Sequence, residues 1–314
     1  SGITVRGSVI GGLGPGSGHI DSSQGGVGRV VIGGQVEGGI GSKSGGVDVT
    51  AQRGAVLGVS IGGDVRGGGG ADSGFVSADR FPAVTIGGSV SGGAGARSGF
   101  VELDEVARTL IKGSVFGAAN NAGRIHGDDV NGTLTILGSL IGVGGTARIV
   151  AKGELTFTGL PANNPVAFTL IKIGGDVRNA EILAGYDFDS TTGALINVTP
   201  DVQVGVVQVG GDWIQSSLVA GALQNGDGFG NGNDSKIVPT GGIIDDAAIT
   251  ARIASVIIGG SIFGIPGGTD SFGFVAQEIG AFRFGKNKLT LAAGTPDPAV
   301  SVAATADVFV REIP

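Results

Sequence analysis

The stretch VTIGGSVSGG, residues 84–93, decides the fold of this chain. It reads as a β-strand interrupted by two adjacent glycines, although glycine weakens a strand and offers nothing to pack. The same stretch returns as VVIGGQVEGG, VSIGGDVRGG, IKIGGDVRNA and VIIGGSIFGI. A doublet that recurs belongs to an architecture, whereas a lone doublet would invite a search for a ligand.

With the second glycine as a register mark, the positions are Gly7, Gly34, Gly63, Gly88, Gly113, Gly138, Gly175, Gly211 and Gly260. Three successive intervals of 25 residues, from Gly63 to Gly138, keep the flanking residues in register too. Self-similarity at such a period is the mark of a repeat fold. The first glycine gives way to Arg6, Lys112 and Leu137, while the second never changes. The first position is therefore expected to have room outside the coil. The second is expected to lie where a Cβ cannot fit, through positive φ or close approach at a corner.

Within VTIGGSVSGG, Val84, Ile86, Gly88 and Val90 share one face, and Thr85, Gly87, Ser89 and Ser91 the other. A second apolar segment follows each doublet, as in GVDVTA, GFVSAD, GFVELD, GRIHGD and ARIVAK, and a third leads into the next, as in RFPAVTIGG. Three short strands per 25 residues predict an all-β fold, a right-handed parallel β-helix or β-solenoid. About ten coils of roughly 25 residues are expected, with longer loops in the C-terminal half. Residues 1–290 would form the helix and residues 291–314, where the doublet is lost and proline appears, a C-terminal cap. A propeller would want longer repeats with recurring aromatics, and the chain has one Trp and one Tyr.

Composition narrows the chemistry. A net charge of −7 without basic clusters gives a nucleic-acid backbone nothing to hold. The absence of cysteine excludes disulfides, thiolate metal sites and cysteine nucleophiles. Apolar runs are short and broken by glycine, so no transmembrane segment is expected. GGLGPG at residue 11 and GGIGSKSGG at residue 38 resemble phosphate-binding loops, but that motif needs a following helix and none is predicted.

The intervals lengthen after Gly138, placing insertions near 152–168, 185–205 and 221–248, where loops carry function most often. The second and third insertions hold Asp187, Asp189, Asp227 and Asp234 among Asn and Gly, hard oxygens that suit Ca²⁺ and equally ordinary turn residues. No other cofactor is expected. In the column after the doublet, Asp176 and Asp212 would be neighbours on adjacent coils, a carboxylate pair able to serve as catalytic acid and base in an enzyme acting on sugar bonds. Arg66 and Arg178, two residues beyond Asp64 and Asp176, offer ion pairs that explain these aspartates without catalysis. His19 and His126 are the only histidines; His126, followed by Asp128 and Asp129, could enter a metal site or a proton relay but reads as a surface residue, since one His supplies one ligand.

Residues 31–145, with VxIGGxVxGG and the GFVxxD segments, resemble the glycine-rich coils of large bacterial exoproteins and of autotransporter or adhesin passengers. That resemblance implies a rigid, secreted or cell-surface structural protein, used for adhesion or assembly, with other protein subunits or surface glycans as partners and a homo-oligomer or larger assembly as its setting. It carries over no functional residue. The coil length also resembles that of pectate lyases and polygalacturonases, which makes a polysaccharide lyase or glycoside hydrolase the alternative.

Overall fold

A computed structural model describes residues 2–51, 57–128, 130–153, 166–267, 270–292 and 299–314. The insertion expected at 152–168 falls largely outside these residues. Among the described residues there is no helix, and short strands recur in a fixed cycle of three sheets. The chain divides into two compact units, Ser1–Ile149 and Val150–Pro314.

In unit 1 the first sheet stacks Gly2–Val5, Arg29–Ile32, Val59–Ile61, Val84–Ile86, Arg108–Ile111 and Val130–Ile136. The second stacks the two- and three-residue strands that follow each doublet, from Val9–Ile10 to Leu140–Gly142. The third stacks Ile20–Val27, Gly46–Ala51, Phe75–Asp79, Phe100–Asp104 and Arg124–Gly127. The recorded pairings within these stacks are parallel, with Val30, Val59, Val84 and Thr109 in one row. A chain that visits three sheets in turn and returns one strand further on is a parallel β-helix, and right-handed crossovers give it its hand.

Unit 2 repeats the cycle. Val166–Ile173, Gln203–Val209, Arg252–Ile258 and Glu278–Phe284 are parallel in its first sheet, and Ala180–Ala184, Ser217–Ala220, Phe272–Ala276 and Val308–Glu312 in its third. First-sheet strands mark six coils in unit 1 and four in unit 2 among the described residues, the roughly ten that the sequence predicts.

The inward rows are β-branched because such side chains fill a pleated surface at low rotamer cost. Val30, Ile32, Val36, Val65, Ile86, Val90 and Val101 are wholly buried in unit 1. Each such burial contributes about 1.5–3 kcal/mol. Unit 2 adds aromatics: Trp213 packs on Phe274 with centroids 4.8 Å apart, and Phe274 meets Phe282 edge-on at 4.7 Å.

The corner between the second and third sheets of unit 1 is written G-G-x-G-x-x-S-G. Its Ser44, Ser73 and Ser98 are fully buried. Each hydroxyl donates to a carbonyl three residues back (Gly41, Gly70, Gly95; 2.6–2.7 Å) and accepts an amide five residues back (Gly39, Gly68, Gly93; 3.0–3.1 Å). Lys43, Asp72 and Arg97, then Gly45, Gly74 and Gly99, have φ near +60°. The loop that looked like a phosphate cradle has its serine turned inward to hold its own backbone.

Candidate functional site

The doublet corner comes first, because the catalytic candidates lie on it. No doublet glycine has positive φ. Close approach is the operative reason, and its source is specific: the side chain that follows the doublet in the preceding coil. Ser8 Oγ accepts the Gln35 amide (3.1 Å), Asp64 Oδ1 that of Ser89 (2.7 Å), Ser89 Oγ that of Ser114 (3.1 Å) and Ser114 Oγ that of Ser139 (3.0 Å). The same oxygens occupy the space a Cβ would need on Gly34, Gly88, Gly113 and Gly138. Where the column holds Gln35, whose longer side chain goes to Glu37, the nearest atom to a Cβ on Gly63 is 3.2 Å away.

The expected asymmetry of the two glycines needs correction. A Cβ on Gly33, Gly62 or Gly87 would press on the carbonyl oxygen of Arg6, Gly33 or Gly62, so the first position has no free space either. Lys112 and Leu137 stand there nonetheless. The backbone can yield at the first position, whereas at the second a Cβ displaces a side chain that is holding an amide.

In unit 2, Asp176 Oδ1 accepts the Asp212 amide (2.9 Å) and Asp212 Oδ1 accepts that of Ser261 (2.8 Å). The two aspartates are neighbours on adjacent coils, as the sequence predicts, and each gives one oxygen to the backbone of the next coil. In unit 1 the Arg66–Asp64 ion pair forms at 2.5 Å.

Two insertions fold as antiparallel hairpins of unit 2: Tyr186–Phe188 with Leu195–Asn197, and Ala222–Leu223 with Ser235–Lys236. Asp187 Oδ1 accepts the Phe188 amide, and its other oxygen faces Lys152 at 3.8 Å. Asp189 closes a turn by accepting from Thr191 and from Thr192, and the Thr192 hydroxyl foremost holds its carboxyl below the usual range. Asp227 is lowered likewise by Asn231 and Asn233. Asp234 is buried, accepts the Gly230 amide at 2.6 Å, and is pushed up to about 6 by that burial. Among the described residues no three His, Asp or Glu side chains gather closely enough to hold a metal ion.

Sequence reasoning overlooked the outer face of the third sheet in unit 1. Its register sets Asp21, Asp48, Ser77, Glu102 and His126 in one row across five successive coils. Burial, then the neighbouring Asp104, pushes the Glu102 carboxyl up to about 7. Burial and then Asp21 raise Asp48. Beside this row Phe75 stacks on Phe100 with centroids 5.0 Å apart and planes at 4°, and the Arg124 guanidinium lies 4.6 Å from the Phe100 centroid. His126 is no surface residue: it is 9% exposed, packs against Phe100, and burial beside Arg124 holds its imidazole well below the usual value. The Asp128 amide donates to Asp104, while Asp129 lies outside the described residues.

This row can hold a proton near neutrality on Glu102, which is what a general acid requires. Asp48 stands two coils away, roughly 9–10 Å by the strand spacing. Phe75 and Phe100 are 5% and 7% exposed, so neither ring offers an open face for a sugar to stack on. Aligning the third residue of GVDVTA with the fourth residues of GFVSAD, GFVELD and GRIHGD would have exposed the row.

No protein-family model matches the chain, and neither a curated protein nor a solved structure is significantly similar to it. No helix among the described residues is long and apolar enough to cross a membrane.

Proposed function

We propose that this chain is a structural or interaction protein, an extracellular or cell-surface β-solenoid used for adhesion or assembly, with other subunits or surface glycans as partners. One observation carries this reading: the polar residues that recur with the repeat are spent on the coil itself. Asp64, Asp176 and Asp212 cap backbone amides of the next coil, and Ser44, Ser73 and Ser98 hold their own corners. Such a molecule has a stiff polar shell with little side-chain chemistry left over, which suits a spacer or a binding surface. The test is incubation with a panel of acidic and neutral polysaccharides, reading both retention on the immobilised polymers and release of reducing ends or unsaturated products. Retention without turnover is expected.

A second reading, a polysaccharide lyase or glycoside hydrolase, is favoured by Glu102, whose raised pKa suits an acid catalyst. The enzyme's centre would then be the Asp48–Ser77–Glu102 row rather than Asp176 and Asp212. Turnover that disappears in Glu102→Gln, with melting unchanged, would replace the structural reading by this one. Neither reading calls on Ca²⁺: Asp187, Asp189, Asp227 and Asp234 each give an oxygen to a local amide or side chain. The melting temperature is expected to stay unchanged in EGTA, and a clear fall would bring a cation back.

A further inference from the structure

The repeat spends its polar side chains on its own backbone, and one cleft of unit 2 departs from that rule. Its volume is about 360 Å³, toward the small end of ligand sites, and Asp270, Ser271, Asp307, Phe309 and Arg311 line it beside Gly232 of the third insertion. In Val308–Glu312 the side chains of Val308 and Val310 are buried inward, so Phe309 and Arg311 share the outer face. Phe309 stands in register with Gly273 on one neighbouring strand and with Ser301 on the other. Neither residue is large enough to cover its ring, which stays partly exposed and meets no other aromatic ring among the described residues. Phe75 and Phe100, by contrast, cover one another.

The polar groups of the cleft are unspent. Neither the exposed Asp270 carboxylate nor the Ser271 hydroxyl has a hydrogen-bond or ion-pair partner among the described residues. Arg311 donates from Nη2 to Gly232 O at 3.1 Å, and its Nε is buried with no partner. Asp307 is 7% exposed and accepts the Ile265 amide through Oδ2 at 2.5 Å, while its Oδ1 is buried with no partner. Buried polar groups are as a rule paired, so an orphaned donor and an orphaned acceptor in one wall mark a surface that protein atoms alone do not satisfy. The chemistry of the wall also restricts what can fill it. Two carboxylates disfavour an anion, and the guanidinium between them and solvent disfavours a cation. A metal ion would need three acidic or histidine side chains gathered together, and the described residues hold no such group. What fits is a neutral ligand that both donates and accepts hydrogen bonds and carries an apolar face for the ring.

We propose that this cleft binds a neutral sugar unit of a glycan, with the apolar face of the sugar on Phe309 and its hydroxyls shared between Asp270, Ser271 and Arg311. Each hydroxyl of a sugar is both donor and acceptor, which matches a carboxylate that only accepts and a guanidinium that only donates. The C–H groups of the sugar ring supply the apolar face that an aromatic side chain takes up. The proposal rests on the reading of the chain as an interaction protein and names the surface at which it would meet a glycan.

The test compares retention of the parent chain, Phe309→Ala and Asp270→Ala on columns of immobilised neutral polysaccharides, with acidic polymers run alongside. The parent is expected to be retained on a neutral polymer. Phe309→Ala should weaken that retention by about tenfold, and Asp270→Ala, at an exposed position that holds nothing in the fold, by about threefold. Melting of the Asp270 variant should be unchanged, which separates binding from folding even if Phe309→Ala proves unstable. Arg311 is left in place because its bond to Gly232 O holds the loop. Oligosaccharides cut from the retaining polymer should slow hydrogen exchange at the amides of residues 230–232 and 271–273. Retention that survives both substitutions, or exchange that slows only elsewhere, overturns the cleft and leaves the interaction reading standing. Retention on no neutral polymer, or on acidic ones alone, overturns it as well and leaves other subunits or acidic glycans as the partners.

Discussion

Units 1 and 2 run the same three-sheet coil and stabilise it by different means. From Gly63 to Gly138 unit 1 holds a spacing of 25 residues, and its corners are ruled by small repeated hydrogen bonds, such as Ser98 on Gly93 and Gly95 and Ser89 on Ser114. Unit 2 lengthens its coils and spends the added chain on hairpins that wrap an apolar cluster of Tyr186, Phe188, Phe229 and Ile237 against Leu183, Val219 and Val275. The Tyr186 hydroxyl donates to Ala222 O at 2.6 Å inside that cluster, and burial raises its pKa. A short coil has little room for side chains, so backbone satisfaction and close glycine packing must supply its order. A longer coil brings its own apolar mass.

This contrast can be broken most forcefully at Trp213, which is wholly buried against Phe274 and donates from Nε1 to Ser216 O at 2.8 Å. Trp213→Ala is expected to destabilise unit 2 by about 3–5 kcal/mol, read by chemical denaturation. A loss under about 1 kcal/mol would mean that the aromatic core does not hold the unit.

In unit 1 the corresponding lever is a single Cβ. Gly88→Ala should cost about 2–3 kcal/mol, through displacement of the Asp64 carboxylate and the stranded Ser89 amide. Gly63→Ala, with its nearest neighbour at 3.2 Å, should cost under about 1 kcal/mol. Because the obstacle at Gly88 is a side chain, Gly88→Ala and Asp64→Ala should be non-additive by about 1 kcal/mol in a double-mutant cycle. Strict additivity would show that the backbone alone excludes a side chain there.

A smaller effect is expected at the second corner. Ser98→Ala leaves the Gly93 amide without its acceptor in a buried site, at about 1–2 kcal/mol. The same change at half-buried Ser17, which makes the same two bonds, should be milder.

The subtlest contrast is with pH. Glu102 has a folded pKa of about 7 against an ordinary value of 4.5, so the folded state holds its proton more tightly than the unfolded chain. Its contribution is fully present below pH 4.5 and is lost as pH rises through about 7. Subtracting the pH profile of Glu102→Gln from that of the parent should leave a decline over this window. A flat difference would mean that the outer row of the third sheet is better solvated than its packing implies.

The register of the doublets makes the fold legible in the sequence, because a parallel coil with so little interior space repeats its glycines from turn to turn. The neighbours Asp176 and Asp212 were legible for the same reason. Their commitment to the amides of Asp212 and Ser261 was not, since a sequence column says which residues are adjacent and not which atoms face each other. Glu102 goes unnoticed and His126 reads as a surface residue in the sequence because GFVELD and GRIHGD register there only as short apolar segments. Burial on the outer face, created by Phe75, Phe100 and Arg124 lying over it, has no signature in composition.

The doublet marks the division most plainly. The sequence by itself determined that the second position is glycine in every doublet, that the period is near 25 residues, and that three strands make a coil. Only the tertiary structure decided why. The backbone there is ordinary, and the space a Cβ would take belongs to an oxygen from a residue 24 positions back at Gly88 and 35 at Gly211. An exclusion made by a neighbour in the stack exists only once the coils are assembled, because it depends on contact across the ladder and not on local conformational preference.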